Sequence, residues 1–250
     1  RRLRSEDAYS PDGRHDMRPE YPTIVYTHIL KELYPDVPVV LGGIEASLRR
    51  VTHYDYWKDC LRPCILTESG ADLIIYGMGE LPLTDLCKTL NDKLLHNREE
   101  AFCSASQFNE LLDKYPIRQT VSLQSKKLFN NQVKPDDIQL HSHEDCLTNR
   151  QHFAENFKHI EEESNKLHPQ RILQETGDNV VIVNPPYPPM TTEQIDQSFD
   201  LPYTRLPHPK YKGKRIPAYE MIKFSVNMHR GCFGGLLLYN YFLVKVLIYF

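Results

Sequence analysis

Two short apolar runs, each closed by glycines, constrain the fold of this chain more than any other feature. Val37–Leu41 leads directly into Gly42-Gly43, and Asp72–Tyr76 leads into Gly77-Met78-Gly79. Continuous apolar runs of this length are typical of strands that are buried on both faces of a parallel sheet. Because both runs end in glycines, both strands are predicted to stop at loops that need unusual backbone freedom.

Helices are predicted on either side of these strands. Val25, Ile29 and Leu33 recur every four residues within Tyr21–Tyr34, which indicates an amphipathic helix before the first strand. A second helix is predicted behind the second strand, opened by Pro82. The order of helix, strand, glycine loop, strand, glycine loop and helix predicts an α/β fold with a mostly parallel sheet.

The two glycine loops lie where a ligand is expected in such a fold. Ligands of parallel α/β sheets bind beyond the carboxyl ends of the strands. Gly42-Gly43 and the pair Gly77 and Gly79 fit either a ligand-binding loop or tight strand-to-helix turns, and the sequence leaves both open. Neither loop contains G-x-G-x-x-G, so the dinucleotide fingerprint is absent.

Charge and cysteine usage narrow the class of protein. The 250 residues carry a formal net charge of −3, which gives no reason to expect nucleic acid or an anionic membrane as a partner. Six irregularly spaced cysteines do not form a secreted disulfide framework. The chain opens at Arg1 without a signal peptide or an initiator Met, so we expect a cytoplasmic protein and a start internal to a longer chain.

An aromatic cluster follows the first glycine loop. His53-Tyr54-Asp55-Tyr56-Trp57 contains the only tryptophan. It fits a stacking platform for a ligand, helped by Glu45, Arg49 and Arg50, or a buried aromatic plug. The plug is the favoured interpretation, because Tyr and Trp bury well once their O–H or N–H finds a partner.

Two groups of residues imitate metal sites. Cys60 and Cys64 form a C-x₃-C pair, but no second pair follows at the spacing of a metal site, so ordinary reduced thiols are expected. His141, His143 and Cys146 lie in a polar stretch, for which a solvated loop is the favoured interpretation.

The middle of the chain is predicted to contain a hairpin and a rigid connector. Arg171–Thr176 and Val180–Val183 flank Gly177-Asp178, which is a hairpin signal with a glycine at the first turn position. Asn184–Pro189 contains four prolines, and proline removes a backbone donor. This segment is therefore predicted to be a polyproline-type spacer.

A thiol-bearing loop lies near the end of the chain. Ile222–Asn227 alternates apolar and polar residues, which predicts a strand. It leads into His229-Arg230-Gly231-Cys232-Phe233-Gly234-Gly235, where a thiol between glycines suits an iron–sulfur ligand. Here the chain resembles the YgiQ-type radical SAM proteins, whose loop has the form H-R-G-C-F-G-G-C-S-F-C. V-V-L-G-G-I-E-A-S-L-R-R and Y-G-M-G-E also resemble that family, so the resemblance covers nearly all of residues 6–235.

The resemblance implies a cofactor and its site. In the family, three loop cysteines hold a [4Fe–4S] cluster that cleaves S-adenosylmethionine to a 5′-deoxyadenosyl radical. It places Cys232 at the first metal-ligand position and Gly234 and Gly235 in the cofactor-binding loop, and it names no catalytic side chain. The other two ligand positions fall on Leu236 and Tyr239, which cannot replace thiolates. The chain is therefore expected to be a catalytically incompetent fragment, and the substrate stays unknown.

The resemblance also implies a division of the chain. Residues 1–100 are expected to form a partial α/β domain similar to cobalamin-binding modules, although D-x-H-x-x-G is absent and cobalamin is not predicted. Residues 101–215 form an intermediate region, and 216–250 begin a truncated, TIM-like radical SAM barrel with its first strand. Two alternatives stay open: a non-catalytic α/β module that binds a small molecule or nucleotide, and a protein attached to a membrane by its tail.

The tail has a composition unlike the loop before it. Leu236–Phe250 is apolar and fifteen residues long, which is short for a membrane span. The family loop continues Cys-Ser-Phe-Cys-Thr-Ile, and one coding of it read two bases late gives Leu-Leu-Leu-Tyr-Asn, the residues 236–240. A frameshift product is therefore expected, with a native C-terminus as the alternative. Translating the DNA after the Gly235 codon in the other two frames decides between them.

Overall fold

The computed structural model describes residues 6–95, 103–129 and 132–225. The described residues group into two units, one made of 6–22 with 191–225 and the other of 23–190. The strands are β1 (Val40–Leu41), β2 (His53–Asp55), β3 (Cys60–Arg62), β4 (Leu73–Ile75), β5 (Thr120–Ser125), β6 (Ile138–Leu140), β7 (Ile172–Thr176) and β8 (Asn179–Val183). The helices are α1 (Pro22–Leu33), α2 (Gly43–Leu48), α3 (Ile65–Ser69), α4 (Glu80–Leu90), α5 (Ala105–Lys114), α6 (Lys126–Phe129), α7 (His143–Thr148), α8 (Arg150–Ser164), α9 (Thr192–Phe199) and α10 (Pro217–Ile222).

The larger unit is built on a six-stranded sheet in the order β1-β4-β5-β8-β7-β6, beside a two-stranded hairpin of β2 and β3. The outer pairs, β1 with β4 and β6 with β7, are parallel. The three pairs in the centre are antiparallel. The α/β class and the parallel pairing of the first two predicted strands are thus confirmed, whereas the expectation of a mostly parallel sheet fails in the centre.

The sheet draws strands from both sides of residue 100, because β1 and β4 precede it and β5 to β8 follow it. One sheet therefore contains strands from two of the three segments expected from the sequence. The predicted hairpin is confirmed as β7 and β8, which pair from Ile172 opposite Val183 to Thr176 opposite Asn179. Gly177 in its turn has φ +54°, a left-handed conformation that glycine adopts without strain.

Apolar clusters hold the helices against the strands. The larger one joins side chains of β4, α4 and α5 with a residue of the following loop: Leu73, Ile75, Leu86, Phe108, Leu112 and Ile117. A second joins α6 with the hairpin: Phe129, Leu173, Val180 and Ile182. Burying each such side chain contributes about 1.5–3 kcal/mol, so both clusters stabilise the unit.

The predicted strand at Ile222–Asn227 is wrong in its described part. Ile222 is the last residue of α10, and residues 223–224 form a turn. Pro217 lies at the first position of this helix, where its fixed φ and missing N–H favour a helical start. A strand also needs a hydrogen-bonded neighbour, which six alternating residues cannot supply by themselves. None of the described helices is long and apolar enough to cross a membrane.

Candidate functional site

The two glycine loops lie side by side at one edge of the sheet. β1 and β4 are parallel neighbours, with Val40 opposite Leu73 and Leu41 opposite Ile74. Their carboxyl ends therefore point the same way, and both loops open into one cleft of about 430 Å³. The cleft is lined by Val40, Leu41, Gly42, Gly43, Ile75, Gly77, Gly79, Glu80 and Leu83. A crevice beyond the carboxyl ends of parallel strands is the usual place for a ligand in an α/β sheet.

The glycines differ in what they contribute to the cleft. Gly43 has φ +82° and Gly77 has φ +68°, so both backbones are left-handed. A Cβ added at Gly43 would meet no atom within 4 Å, so the conformation alone favours glycine there. A Cβ added at Gly77 would lie 3.4 Å from Nε2 of Gln119, so a close approach adds to the conformational demand.

A single hydroxyl joins the two loops. Ser47, on α2, donates from Oγ to the carbonyl oxygen of Gly43 at 2.7 Å. The same Oγ accepts a hydrogen bond from the backbone N–H of Gly77 at 3.0 Å. Sequence reasoning missed this residue, because its second contact reaches a loop far away in the chain. Both loops are thus fixed to one side chain.

Gln119 anchors the second loop from the other side. Its Nε2 donates to the carbonyl oxygens of Tyr76 at 2.8 Å and Met78 at 2.5 Å. Its Oε1 accepts from the backbone N–H of Tyr187 at 3.2 Å, and its own N–H donates to the Pro185 carbonyl at 2.9 Å. Gln119 is 1% exposed, so these bonds form away from water, where an unmade bond is costly.

The proline-rich connector packs onto the unit through the same region. The Tyr187 hydroxyl donates to the carboxylate of Asp85 on α4. Burial raises the pKa of Tyr187, and the neighbouring carboxylate raises it further. Arg118 donates from Nη2 to the Pro186 carbonyl at 2.7 Å. The connector is therefore held to the unit at several points.

Charged side chains predicted to help a ligand platform support α2 instead. Glu45 accepts hydrogen bonds from Thr23 and, at 2.8 Å, from Arg49. Arg50 is 6% exposed, donates to the Ser47 carbonyl at 2.5 Å and lies 5.3 Å from the ring centre of Tyr76. These contacts fix the helix that carries the hydroxyl between the loops.

The cleft itself is mostly apolar. Among the described residues that line it, Glu80, the first residue of α4, carries the only ionisable side chain. Apolar walls, exposed backbone groups and one carboxylate suit a small ligand that is neutral or cationic near Glu80. A carboxylate does not favour an anion, so a phosphate site is not indicated.

The aromatic cluster is not a buried plug. Tyr54, Tyr56 and Trp57 are 51%, 76% and 56% exposed, so that interpretation is wrong. They lie on β2 and on the turn to β3, where a two-stranded hairpin leaves one face open. Asp55 fixes this turn: its carboxylate accepts from the Trp57 N–H at 2.8 Å and pairs with Arg62 at 3.1 Å.

The histidine-rich stretch is not a solvated loop, so that interpretation is also wrong. Ser142 caps helix α7 in a capping box, a signal that was present in the sequence. His143 is buried, with Nδ1 3.1 Å from the Thr52 hydroxyl, and Cys146 is buried behind it. His141 pairs with a glutamate of α8 instead of turning toward the other two.

A metal ligand was predicted at Cys232 and cofactor-binding residues at Gly234 and Gly235, and all three lie outside the described residues. Within the part of the chain that the structure describes, no three His, Cys, Asp or Glu side chains are placed to hold a metal ion. Cys60 and Cys64 are free thiols, as expected. Burial raises the pKa of Cys64 to about 12.

Comparison with known proteins gives consistent matches. The family model described as Radical SAM N-terminal matches residues 1–225. A UPF0313 protein of Bacteroides thetaiotaomicron is 60% identical over 235 residues, covering 94% of this chain and 37% of that protein. A UPF0313 protein of Porphyromonas gingivalis is 60% identical and covers 94% and 34%. The UPF0313 protein YgiQ of Shigella flexneri is 37% identical and covers 94% and 37%.

This chain spans about a third of the length of the curated relatives it matches. No solved structure matches it.

Proposed function

Because the chain belongs to the Radical SAM N-terminal family, we propose that it is the N-terminal part of a radical SAM-type protein. The match over residues 1–225 carries this proposal, and the relatives at 60% identity support it. In the intact protein a [4Fe–4S] cluster and S-adenosylmethionine would supply the radical chemistry, and the polypeptide would place them. The substrate is not identified, because a fold by itself does not fix a function.

The donor set of this chain does not fit such a cluster. The loop offers the thiol of Cys232 alone, since Leu236 and Tyr239 stand at the other two ligand positions. Thiolates are the ligands that hold a [4Fe–4S] cluster, and one is too few. We therefore derive no reaction step for this chain and expect it to bind no stable cluster.

Anaerobic reconstitution with iron and sulfide tests this expectation. We expect far fewer than the about four irons per chain that a [4Fe–4S] cluster requires, and no visible absorbance that S-adenosylmethionine perturbs. The matched control is Cys232→Ser, which should leave the iron content unchanged. About four irons per chain that Cys232→Ser removes would show that the chain does hold a cluster.

A second candidate function is a non-catalytic module that binds a small molecule in the glycine-loop cleft. The observation that favours it is the cleft of about 430 Å³ between two loops tied to Ser47. The cleft walls are mostly apolar, so an adenine or another flat, neutral group fits them better than a phosphate does. We do not propose cobalamin, because the signature D-x-H-x-x-G is absent.

Gly42→Val tests whether the cleft binds a small molecule. Gly42 has φ −147°, which any residue adopts, and a Cβ there would lie 3.8 Å from the Ile75 carbonyl. Valine therefore fills the cleft without straining the backbone. Calorimetric titration with adenosine and with S-adenosylmethionine should show binding that Gly42→Val abolishes if the chain is a binding module. No heat with either ligand in the unsubstituted chain would exclude adenine recognition by this cleft.

A further inference from the structure

Helix α1 turns its apolar side away from the unit that it belongs to. The exposed fractions of these side chains run from 37% to 64%: Val25, Tyr26, Ile29, Leu30 and Leu33. Spacings of three and four residues place them on one side of the helix. None of them is charged. An amphipathic helix on a protein surface normally buries such a stripe.

Polar contacts fix the opposite side of α1. Thr27 is 2% exposed, and its hydroxyl donates to the Thr23 carbonyl at 2.7 Å. Nε2 of His28 lies 2.9 Å from the Glu68 carbonyl oxygen. Lys31 pairs with Asp72, at the start of the β4 segment, at 2.5 Å. Ile24, which is 8% exposed, is the apolar side chain of α1 that is buried on this side. The helix therefore presents Ile24 and otherwise polar side chains to its own unit, and its exposed apolar stripe needs a different neighbour.

The strand that follows α1 lies at an open edge. β1 ends the strand order of the described sheet, pairs only with β4 there, and leaves Val40 38% exposed. A helix that leads into a parallel strand is the second half of a βαβ unit, in which a first strand pairs beside the second. Within the described residues before α1, 6–21 form turns and a short 3₁₀ helix and no strand.

We propose that the outer side of α1 and the open edge of β1 together receive a β-strand from the part of the intact polypeptide outside these 250 residues. The strand pairs in parallel with β1 and extends the sheet under the helix. Its apolar side chains pack against the stripe of α1. This surface, called the α1–β1 surface below, consists of Val25, Tyr26, Ile29, Leu30, Leu33 and Val40.

The size of this surface points to an occupant in the same polypeptide. A helix of 12 residues is about 18 Å long and 10–12 Å wide, so one side offers on the order of 200 Å². A stable interface between separate proteins buries about 800 Å² on each partner. A tethered segment needs far less, because its effective concentration reaches about the millimolar range. The relatives are long enough to supply it, since this chain spans 37% of the Bacteroides thetaiotaomicron protein.

Thiol labelling tests the proposal in two proteins, this chain and the longer Bacteroides thetaiotaomicron relative. Leu33→Cys probes the α1–β1 surface, and Glu32→Cys on the next residue is the matched control outside the stripe. In this chain both thiols should react at similar rates, because both positions are exposed. In the relative, cysteine at the position matching Leu33 should react at least about tenfold more slowly, and the control should be unchanged.

Hydrogen exchange of the unsubstituted proteins gives a second readout that needs no variant. Of the amides of Val40 and Leu41, the one that points away from β4 should exchange more slowly in the relative than in this chain, because neighbouring amides of a strand point to opposite sides and the added strand pairs with that one. Equal labelling and equal exchange in the two proteins would overturn the proposal. Protection of Leu33→Cys that grows with the concentration of this chain would also overturn it, and would assign the surface to a second copy.

Discussion

At the scale of the residue, Ser47 is a small side chain that fixes both glycine loops of the candidate site. Its hydroxyl contacts both the Gly43 carbonyl and the Gly77 N–H. Ser47→Ala removes both bonds and leaves the loop amide without that acceptor, so we expect a loss of about 1–2 kcal/mol in the free energy of unfolding. Urea denaturation measures it. Ser106→Ala, at an exposed hydroxyl on α5, is the control and should change stability by less than about 0.5 kcal/mol. Equal effects of the two substitutions would contradict the role of Ser47.

Asp137 forms a buried ion pair with a predictable pH dependence. Its carboxylate is 3% exposed and accepts from Nε and Nη2 of Arg171 at 2.9 and 2.6 Å. Burial alone would raise the pKa of Asp137, but the hydrogen bonds from Arg171 and the Lys134 N–H hold this pKa below its usual range. Because the folded-state pKa is lowered, the pair stabilises the fold above the unfolded pKa and loses this effect as the pH falls through the folded value.

We therefore expect Asp137→Asn to cost about 3 kcal/mol near neutral pH and progressively less as the pH falls below the usual range of an Asp carboxyl. Urea denaturation across this pH range checks the expectation. Asp136→Asn, at the exposed neighbouring carboxylate, is the matched control and should have little effect at either pH. A cost for Asp137→Asn that does not change with pH would show that the ion pair is not its source.

The cysteines should differ sharply in reactivity. Burial raises the pKa of the Cys64 thiol to about 12, whereas Cys60 is exposed on β3. The thiolate is the reactive form, so at about pH 8 iodoacetamide should modify Cys60 and leave Cys64 unmodified in the folded chain. Mass spectrometry of the peptides reads the result, and unfolding in urea should make both thiols react. Equal modification in the folded state would contradict the burial of Cys64.

At the scale of the element, the hairpin of β2 and β3 combines a fixed turn with open aromatic side chains. Asp55→Ala removes the acceptor for the Trp57 N–H and the partner of Arg62, so we expect a loss of about 2–3 kcal/mol. Tyr56→Ala removes a side chain that is 76% exposed and should cost less than about 1 kcal/mol. Thermal unfolding followed by the fluorescence of Trp57 compares the two variants. A larger cost for Tyr56→Ala would show that the aromatic tip is packed.

Hydrophobic periodicity in the sequence predicts the strands and helices whose apolar residues recur at a regular spacing. The apolar run of β4, the hairpin of β7 and β8, and helix α4 are found as predicted. β1 is shorter than the predicted Val37–Leu41 and leaves Val40 exposed, because it lies at an edge of the described sheet. β5 was missed although Thr120, Ser122 and Gln124 alternate with its apolar residues at the period of a strand, because the run is short and contains only Val121 and Leu123 as apolar residues. The antiparallel pairing on either side of β5 was therefore not predicted either.

The candidate site could be predicted only in outline. The glycines indicate where the candidate site lies, because they end two parallel strands. Ser47 and Gln119, which fix the loops, contact residues 30 and more than 40 positions away, and no local pattern encodes such contacts. The exposure of Tyr56 and Trp57 also depends on which face of the hairpin the rest of the fold leaves uncovered. The amino-acid composition does not indicate that face.

At the scale of the whole molecule, the apolar tail should control behaviour in solution. Leu236–Phe250 combines high β-propensity with low charge and no proline, which is typical of aggregation-prone segments. We expect a chain ended after Gly235 to give a higher soluble yield than the 250-residue chain. Tyr241→Lys with Leu247→Lys in the full-length chain is the matched control for length and should recover much of the yield. Equal yields from all three would contradict a role for the tail.

Through the hydrogen bonds of its side chain, Gln119 also connects the second glycine loop to the proline-rich connector. The Gln119 side-chain amide donates from its nitrogen to the carbonyls of Tyr76 and Met78, and its oxygen accepts a hydrogen bond from the Tyr187 N–H. A shift of the connector at Tyr187 would therefore act on the Tyr76 and Met78 carbonyls through the single amide group of Gln119, so the position of the connector and the shape of the second glycine loop are coupled.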